Sequence, residues 1–204
     1  MNWKEFLKDK RNRVEVLITL ILLSVVLASL TNFLNYVEAR EGAVLPDPIL
    51  NLFNPIDLTW LTFALIYGSI VVAIATLFKY PNRLMFAIQL YTLMVLVRIV
   101  AMFLLPLEPP STMIILNDPF VEFFGTGQTL TKDLFFSGHT ATLFILFLVA
   151  ENKIIKSVFL ISTIVVAISV ILQHVHYTID VIAAVFFTYA CYKLLLKFKI
   201  HYCL

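Results

Sequence analysis

The stretch Ile154-Ile-Lys-Ser-Val-Phe-Leu-Ile-Ser-Thr-Ile-Val-Val-Ala-Ile-Ser-Val-Ile-Leu172 leads within a few residues into His174-Val-His-Tyr-Thr-Ile-Asp180. At about 1.5 Å of rise per residue, a helix over the first part nearly crosses a hydrocarbon core of about 30 Å. It therefore reads as a membrane span that delivers ionisable groups to a membrane boundary. Such groups cost free energy there unless something uses them, so a built site is expected where they meet others.

Working outward from it, five more apolar stretches are long enough, or nearly so, to cross the bilayer: 14–37, 58–78, 84–105, 134–150 and 177–196. Of the 204 residues, 61% are hydrophobic and 14% charged, and the mean hydropathy is +0.94. Soluble domains run nearer about 45 to 50% apolar and about 25% charged. The expected fold is all-α, a six-span transmembrane helical bundle. Its predicted parts are a basic N-terminal segment (1–13), a catalytic membrane domain (14–199) and a short tail (200–204). The first stretch follows Lys4, Lys8, Lys10, Arg11 and Arg13. It is too long for a signal-peptide core and no small-residue cleavage site follows, so it counts as a span.

Lysine and arginine near span ends set topology. They collect in the N-terminal segment, at Lys79 and Arg83, at Lys153 and Lys156, and at Lys193, Lys197 and Lys199. Six spans put all of these on one side, which is predicted to be cytoplasmic together with both termini. The other side carries Arg40 and Lys132 but also Glu38, Glu41, Asp47, Asp57, Glu108, Asp118, Glu122 and Asp133. The loop 106–133 belongs to that side. Pro106, Pro109, Pro110 and Pro119 keep its first half out of helix, Gly125 and Gly127 loosen the rest, and a lid or headgroup-binding loop is expected there, with a plain connector as the alternative. Cys191 and Cys203 fall in or after the last span, where no disulfide is expected, and Cys203 is next to last and makes no prenylation box. A net charge of +2, explained by topology, gives no reason to expect nucleic acid as a partner.

His176 and Asp180 are spaced i, i+4. On a helix they would share a face, the carboxylate taking the proton of one imidazole nitrogen and leaving the other free to attack or to act as a base. The same pair also reads as a capping polar cluster. His139 follows Ser137-Gly138, where glycine allows close backbone approach and Ser137 with the first amides of the span can donate to an anionic oxygen. A general acid at His139 would complement a nucleophile at His176. Arg98 lies inside the third span, about 10 Å below its outer end, where a planar guanidinium suits phosphate or a carboxylate partner such as Asp180, Asp133 or Asp47. Further substrate-binding candidates are Asp133 beside Lys132, Asp47 in Leu45-Pro-Asp-Pro48, and Tyr91 two turns before Arg98. Asp133 also reads as an interfacial anchor, Asp47 as a turn residue and Tyr91 as packing. His174 is read as a supporting residue. No Gly-rich nucleotide loop or Cys/His cluster is present and no cofactor or metal is expected, although His139, His176 and Asp180 could in principle supply three zinc ligands.

Ser137-Gly138-His139-Thr140 and His176-Tyr177-Thr178-Ile179-Asp180-Val181 together resemble the two signature motifs of the sphingomyelin synthase family, a branch of the lipid phosphate phosphatase superfamily. Leu45-Pro46-Asp47 resembles that family's first-loop motif, and Arg98 with Tyr91, and more distantly Arg83, its third-span motif. The resemblance implies six helices, an active site on the non-cytoplasmic face and ping-pong phosphotransfer without a cofactor. By it, His176 attacks a phospholipid phosphorus, Asp180 orients His176, and His139 protonates the diacylglycerol leaving group before deprotonating ceramide or a related lipid alcohol.

The chain departs from the superfamily's phosphatases. Arg98 stands at their lysine, Leu105 at their arginine, Ser169-Val170 at their Ser-Arg and Phe136 at their proline. With two phosphate-clamping bases missing, a singly charged phosphodiester fits better than a phosphomonoester dianion. Ala101 stands where the family carries threonine, which leaves the headgroup open. The leading expectation is headgroup transfer from a glycerophospholipid to a ceramide-like acceptor. The alternatives are a lipid phosphatase or phospholipase C-like hydrolase of the same fold, and a non-catalytic lipid-binding or transport bundle.

Overall fold

The computed structural model describes residues 2–116 and 130–202, with side chains to 199. Asp118, Pro119, Glu122, Gly125, Gly127 and Cys203 lie outside the described residues, as do residues 117–129 of the expected lid. The described helices are α1 (Trp3–Phe6), α2 (Lys10–Ala39), α3 (Thr59–Leu77), α4 (Pro81–Leu104), α5 (Gly138–Val149), α6 (Lys153–Leu172) and α7 (Thr178–Tyr202). Of these, α2, α3, α4, α6 and α7 are long and apolar enough to cross a membrane.

The fourth predicted span is the exception. It was expected over 134–150, but α5 has only 12 residues, about 18 Å of helix. Its first turn cannot extend backward because the preceding backbone is committed elsewhere. The Phe136 carbonyl accepts from Arg98 Nε at 2.6 Å, and the Ser137 N–H donates to the Asp180 carbonyl at 3.2 Å. The span is therefore completed by non-helical chain, which at membrane depth survives only when enclosed by protein.

That enclosure follows from the packing. α5 is the centre of the bundle and touches α3, α4, α6 and α7, whereas α2 packs chiefly on α4. In a bilayer apolar burial does not itself drive helices together, so close approach through small residues matters more. Ala141 on α5 and Ala184 on α7 are fully buried and Ala183 nearly so, in one core with Leu90, Met94 and Ile145. A second cluster joins Leu143, Val166, Val170 and Val181.

A third, smaller cluster of Leu50, Leu107, Leu134 and Tyr177 lies among the loops at the histidine end. It anchors an ordered cap. The Ala43 N–H donates to the Pro106 carbonyl at 2.9 Å and the Glu108 N–H to the Ala43 carbonyl at 3.0 Å. Tyr177 Oη donates to the Glu108 carbonyl at 2.9 Å and accepts from the Leu45 N–H at 3.3 Å. Residues 106–116 are thus part of a packed cover and not a free connector. Gly42 makes the pairing feasible, since a Cβ there would sit 2.6 Å from the Leu107 carbonyl carbon. Gly42→Ala should open the cap and destabilise the protein by about 1 to 3 kcal/mol, read as a lower midpoint in thermal unfolding in detergent; an unchanged midpoint would show that the cap contributes little.

Candidate active site

The turn between α6 and α7 sets the first half of the site. Helix α6 ends in a Schellman arrangement in which the His174 N–H donates to the Ile171 carbonyl at 2.9 Å and the Val175 N–H to the Val170 carbonyl at 3.0 Å. His174 takes the left-handed position at φ 56°, where glycine is usual and a histidine is strained. Its Nδ1 meets Thr112 Oγ1 in the cap and its ring lies edge-on to Phe53. This supports the turn, and burial holds the His174 imidazole below its ordinary pKa against the opposing pull of Asp47.

Because of this turn, His176 lies before α7 and not on it. The expectation that His176 and Asp180 share a helix face is corrected here: the helix begins at Thr178, and only Asp180 belongs to it. The two still meet, with His176 Nδ1 3.4 Å from Asp180 Oδ2 and both side chains almost wholly buried. That is an ion-pair distance slightly longer than a formed hydrogen bond. Asp180 Oδ2 meanwhile accepts the Tyr177 N–H at 3.0 Å, and Oδ1 is buried with no hydrogen-bond partner. A carboxylate so placed has acceptor capacity ready for the imidazole, and catalytic contacts commonly tighten only with substrate bound.

The second half comes from α5. Ser137 Oγ caps that helix by accepting the Thr140 N–H at 3.4 Å and is fully buried, so its hydroxyl is a structural cap in this state. His139, in the first turn, faces His176 with ring centroids 6.4 Å apart and planes at 65°. Phe63 of α3 also packs edge-on with the His139 ring. The two histidines, 37 positions apart in the chain, thus come together because α5 and α7 are close-packed neighbours.

Arg98 lies against the start of α5. Its side chain is 6% exposed, and Nη2 lies 2.6 Å from Asp133 Oδ1. Of the partners considered from sequence, Asp133 is the one it takes. Gly138 lets the guanidinium approach, since a Cβ there would stand 3.1 Å from Arg98 Cζ. Arg98 therefore ties the backbone before α5 to α4. Tyr91 sits two turns away, partly buried against the main apolar core, where it packs.

Asp47 is committed to the start of α7. Its carboxylate caps α7, accepting the Thr178 N–H at 2.7 Å and the Thr178 hydroxyl at 3.2 Å, with the Ile49 and Leu50 N–H groups on Oδ1. Burial pushes its pKa up, but these donors together outweigh burial and hold it below the ordinary carboxylate value. A carboxylate with a depressed folded-state pKa contributes stability that is present above its unfolded value, and that contribution is lost as pH falls through the folded value. Glu108 is likewise held low, first by its bond to Lys132. Unfolding followed from pH 6 down to below 4 should show an acid-side loss of stability that is smaller in Asp47→Asn; an identical acid limb would exclude Asp47 as a contributor.

Sequence reasoning passed over Glu38. In the last turn of α2 it accepts the N–H groups of Thr131 and Lys132, each at 3.0 Å, and the Thr131 hydroxyl at 2.5 Å. This holds the segment that carries Asp133 to Arg98. A signal existed, because a carboxylate near a helix C-terminus is opposed by the helix dipole and calls for another partner. Lys132 turns away from the site, to Glu108 Oε1 at 2.8 Å and the Arg40 carbonyl at 2.8 Å. Among the described residues no group of three His, Cys, Asp or Glu is placed to hold a metal ion.

Residues 132–197 match the family model of the PAP2 superfamily C-terminal domain. The matched region contains His139, His176, Asp180, Ser137, Gly138 and Asp133; Arg98, Tyr91 and Asp47 lie before it. A comparison with curated proteins returns no match. The match supports the lipid phosphate phosphatase superfamily and a membrane enzyme of the phosphatase or phosphotransferase type, without singling out the sphingomyelin synthase branch.

Proposed function

We propose that the protein is a membrane phosphotransferase that moves a phosphorylated headgroup from a glycerophospholipid to ceramide or a related lipid alcohol. The observation that carries this reading is the juxtaposition of the His139 and His176 rings, 6.4 Å between centroids, with Asp180 against His176 Nδ1. Two proton-transfer groups, one in the first turn of α5 and one in the turn before α7, can flank one phosphorus, which is what an in-line displacement on a phosphodiester requires.

In the first half-reaction His176 Nε2 attacks phosphorus, the bond from phosphorus to the diacylglycerol oxygen breaks, and His139 gives that oxygen its proton. Asp180 stabilises the positive charge developing on His176. In the second, His139 takes the proton of the acceptor hydroxyl, whose oxygen attacks phosphorus and breaks the P–N bond, regenerating His176. Arg98, Asp133 and Gly138 form the floor of the site, with Ser137 and Asp47 holding the starts of α5 and α7. The basic residues at the opposite end of the bundle support an orientation with that end and both termini in the cytoplasm and the histidines at the periplasmic or lumenal face.

The second reading is hydrolysis, with water in place of the lipid alcohol. Both share the first half-reaction. Purified protein incubated with labelled ceramide and a panel of phospholipids decides between them. A new phosphoceramide formed with an equal amount of diacylglycerol supports transfer; diacylglycerol or free phosphate without phosphoceramide removes ceramide as the acceptor.

A further inference from the structure

A cavity of about 1570 Å³ opens at the end of the bundle away from the histidines, between α2, α4 and α7. Its polar shelf is remote from the site described above: Gln89 lies nine residues before Arg98 on α4, about 13 Å by helical rise, and Leu148 to Ala150 lie at the far end of α5 from His139, while the deep wall reaches Leu96, which is exposed where Arg98 is buried. Typical small-molecule pockets measure about 300 to 1,000 Å³, so this one admits something larger. It exists because α2 packs chiefly on α4 and leaves a gap beside α7.

The lining is divided by polarity along the helix axes. Four bases, Arg11, Arg83, Lys156 and Lys199, line the cavity toward the membrane boundary. Deeper, Leu22 on α2 and Leu93 and Leu96 on α4 supply apolar wall. Between the two levels is a polar shelf. Glu15 Oε1 accepts from Lys199 Nζ at 2.7 Å and from Gln89 Nε2 at 3.0 Å, while Gln89 also donates to Thr19 Oγ1 at 2.9 Å.

The acids here are already committed. Arg83 pairs with Glu151, Lys199 with Glu15, and Asp9 caps α2 through the Arg11 N–H. Lys156 makes no ion pair among the described residues and lies over the Phe147 ring at 5.1 Å. With three acids against four bases the lining carries a net positive charge above an apolar slot. We infer that this cavity is a second lipid site, occupied by an anionic glycerophospholipid of the leaflet opposite the histidines. Its phosphate would lie among the bases, and an acyl chain would run in the gap beside α7, along the apolar wall formed by Leu22 and Leu96.

The test uses native mass spectrometry of the purified full chain in detergent, with equimolar phosphatidylglycerol and phosphatidylcholine of identical acyl chains. The expected result is selective retention of phosphatidylglycerol, falling about fivefold in Lys156→Gln, from about 1 kcal/mol for each base near a membrane surface. Leu93→Trp, which fills the apolar slot and leaves the charges in place, should also expel the lipid. His176→Ala should retain it at the wild-type level, since that residue is at the other end. Equal retention of both lipids, or retention unaffected by Lys156→Gln and Leu93→Trp, overturns the inference. Loss in His176→Ala also overturns it, because the retained lipid is then substrate in the histidine site.

Discussion

With His176 as the proposed nucleophile, His176→Ala should abolish turnover, with a fall of at least about 10⁴-fold, since a nucleophile cannot be replaced by binding energy elsewhere in the site. The side chain is buried at 1% exposure, so the folded state needs its own readout. Thermal unfolding of the variant in detergent distinguishes loss of chemistry from loss of structure. Asp180→Asn is the companion: it keeps the shape but removes the charge that stabilises the imidazolium, and should cost about 10² to 10⁴-fold. A labelled phosphoryl group trapped on the protein, acid-labile and absent in His176→Ala, would identify the covalent intermediate. Full turnover in His176→Ala would defeat transfer and hydrolysis together, and an unaffected Asp180→Asn would favour a bundle that binds or transports lipid without chemistry.

Arg98→Ala should be the most damaging change to the scaffold of the site. The guanidinium bonds the Phe136 carbonyl and Asp133 at once. Breaking a buried ion pair from one side costs about 3 to 5 kcal/mol, and the 31% exposure of Asp133 reduces this to about 2 to 3 kcal/mol. Arg98→Lys keeps a charge, but a single ammonium cannot reproduce the planar fork. It should restore much of the unfolding midpoint while leaving kcat depressed by about tenfold or more. If Arg98→Lys were fully active, charge alone would suffice and the positioning of Phe136 would be immaterial. Gly138→Ala probes the same contact from the other side, because the added methyl would press on Cζ at 3.1 Å.

Several of these dependencies were readable from the chain. Apolar runs of about 20 residues have few structural options in a bilayer, because every backbone polar group must be satisfied within the segment. The membrane helices and their approximate limits follow from that alone. The candidate residues His139, His176, Asp180 and Arg98 also stood out, since ionisable groups in such surroundings are costly and few. The partner of Arg98 was one of three carboxylates, and choosing Asp133 required the path of residues 130–137.

The short fourth helix was not readable. Residues 134–137 are as apolar as a helix would be, and only their bonds to Arg98 and to the Asp180 carbonyl take them out of one. The same holds for His176, whose spacing to Asp180 suggested a common helix face. The αL turn at His174 and the cap from Asp47 start the helix two residues later, yet preserve the contact by another route. Glu38 carried a signal in its place at a helix C-terminus but not the identity of its partners, Thr131 and Lys132, and the lipid-sized cavity was invisible because it arises between helices that the sequence does not order laterally.

The amino-acid sequence by itself determined that this is a helical membrane protein with a small set of ionisable residues at one end, because hydropathy and the cost of buried charge act locally along the chain. The tertiary structure decided which of those residues meet, how deep the site lies and where the bundle leaves a gap. Those outcomes depend on the lateral packing of helices, which is set by side-chain shape and hydrogen bonds between segments distant in the chain.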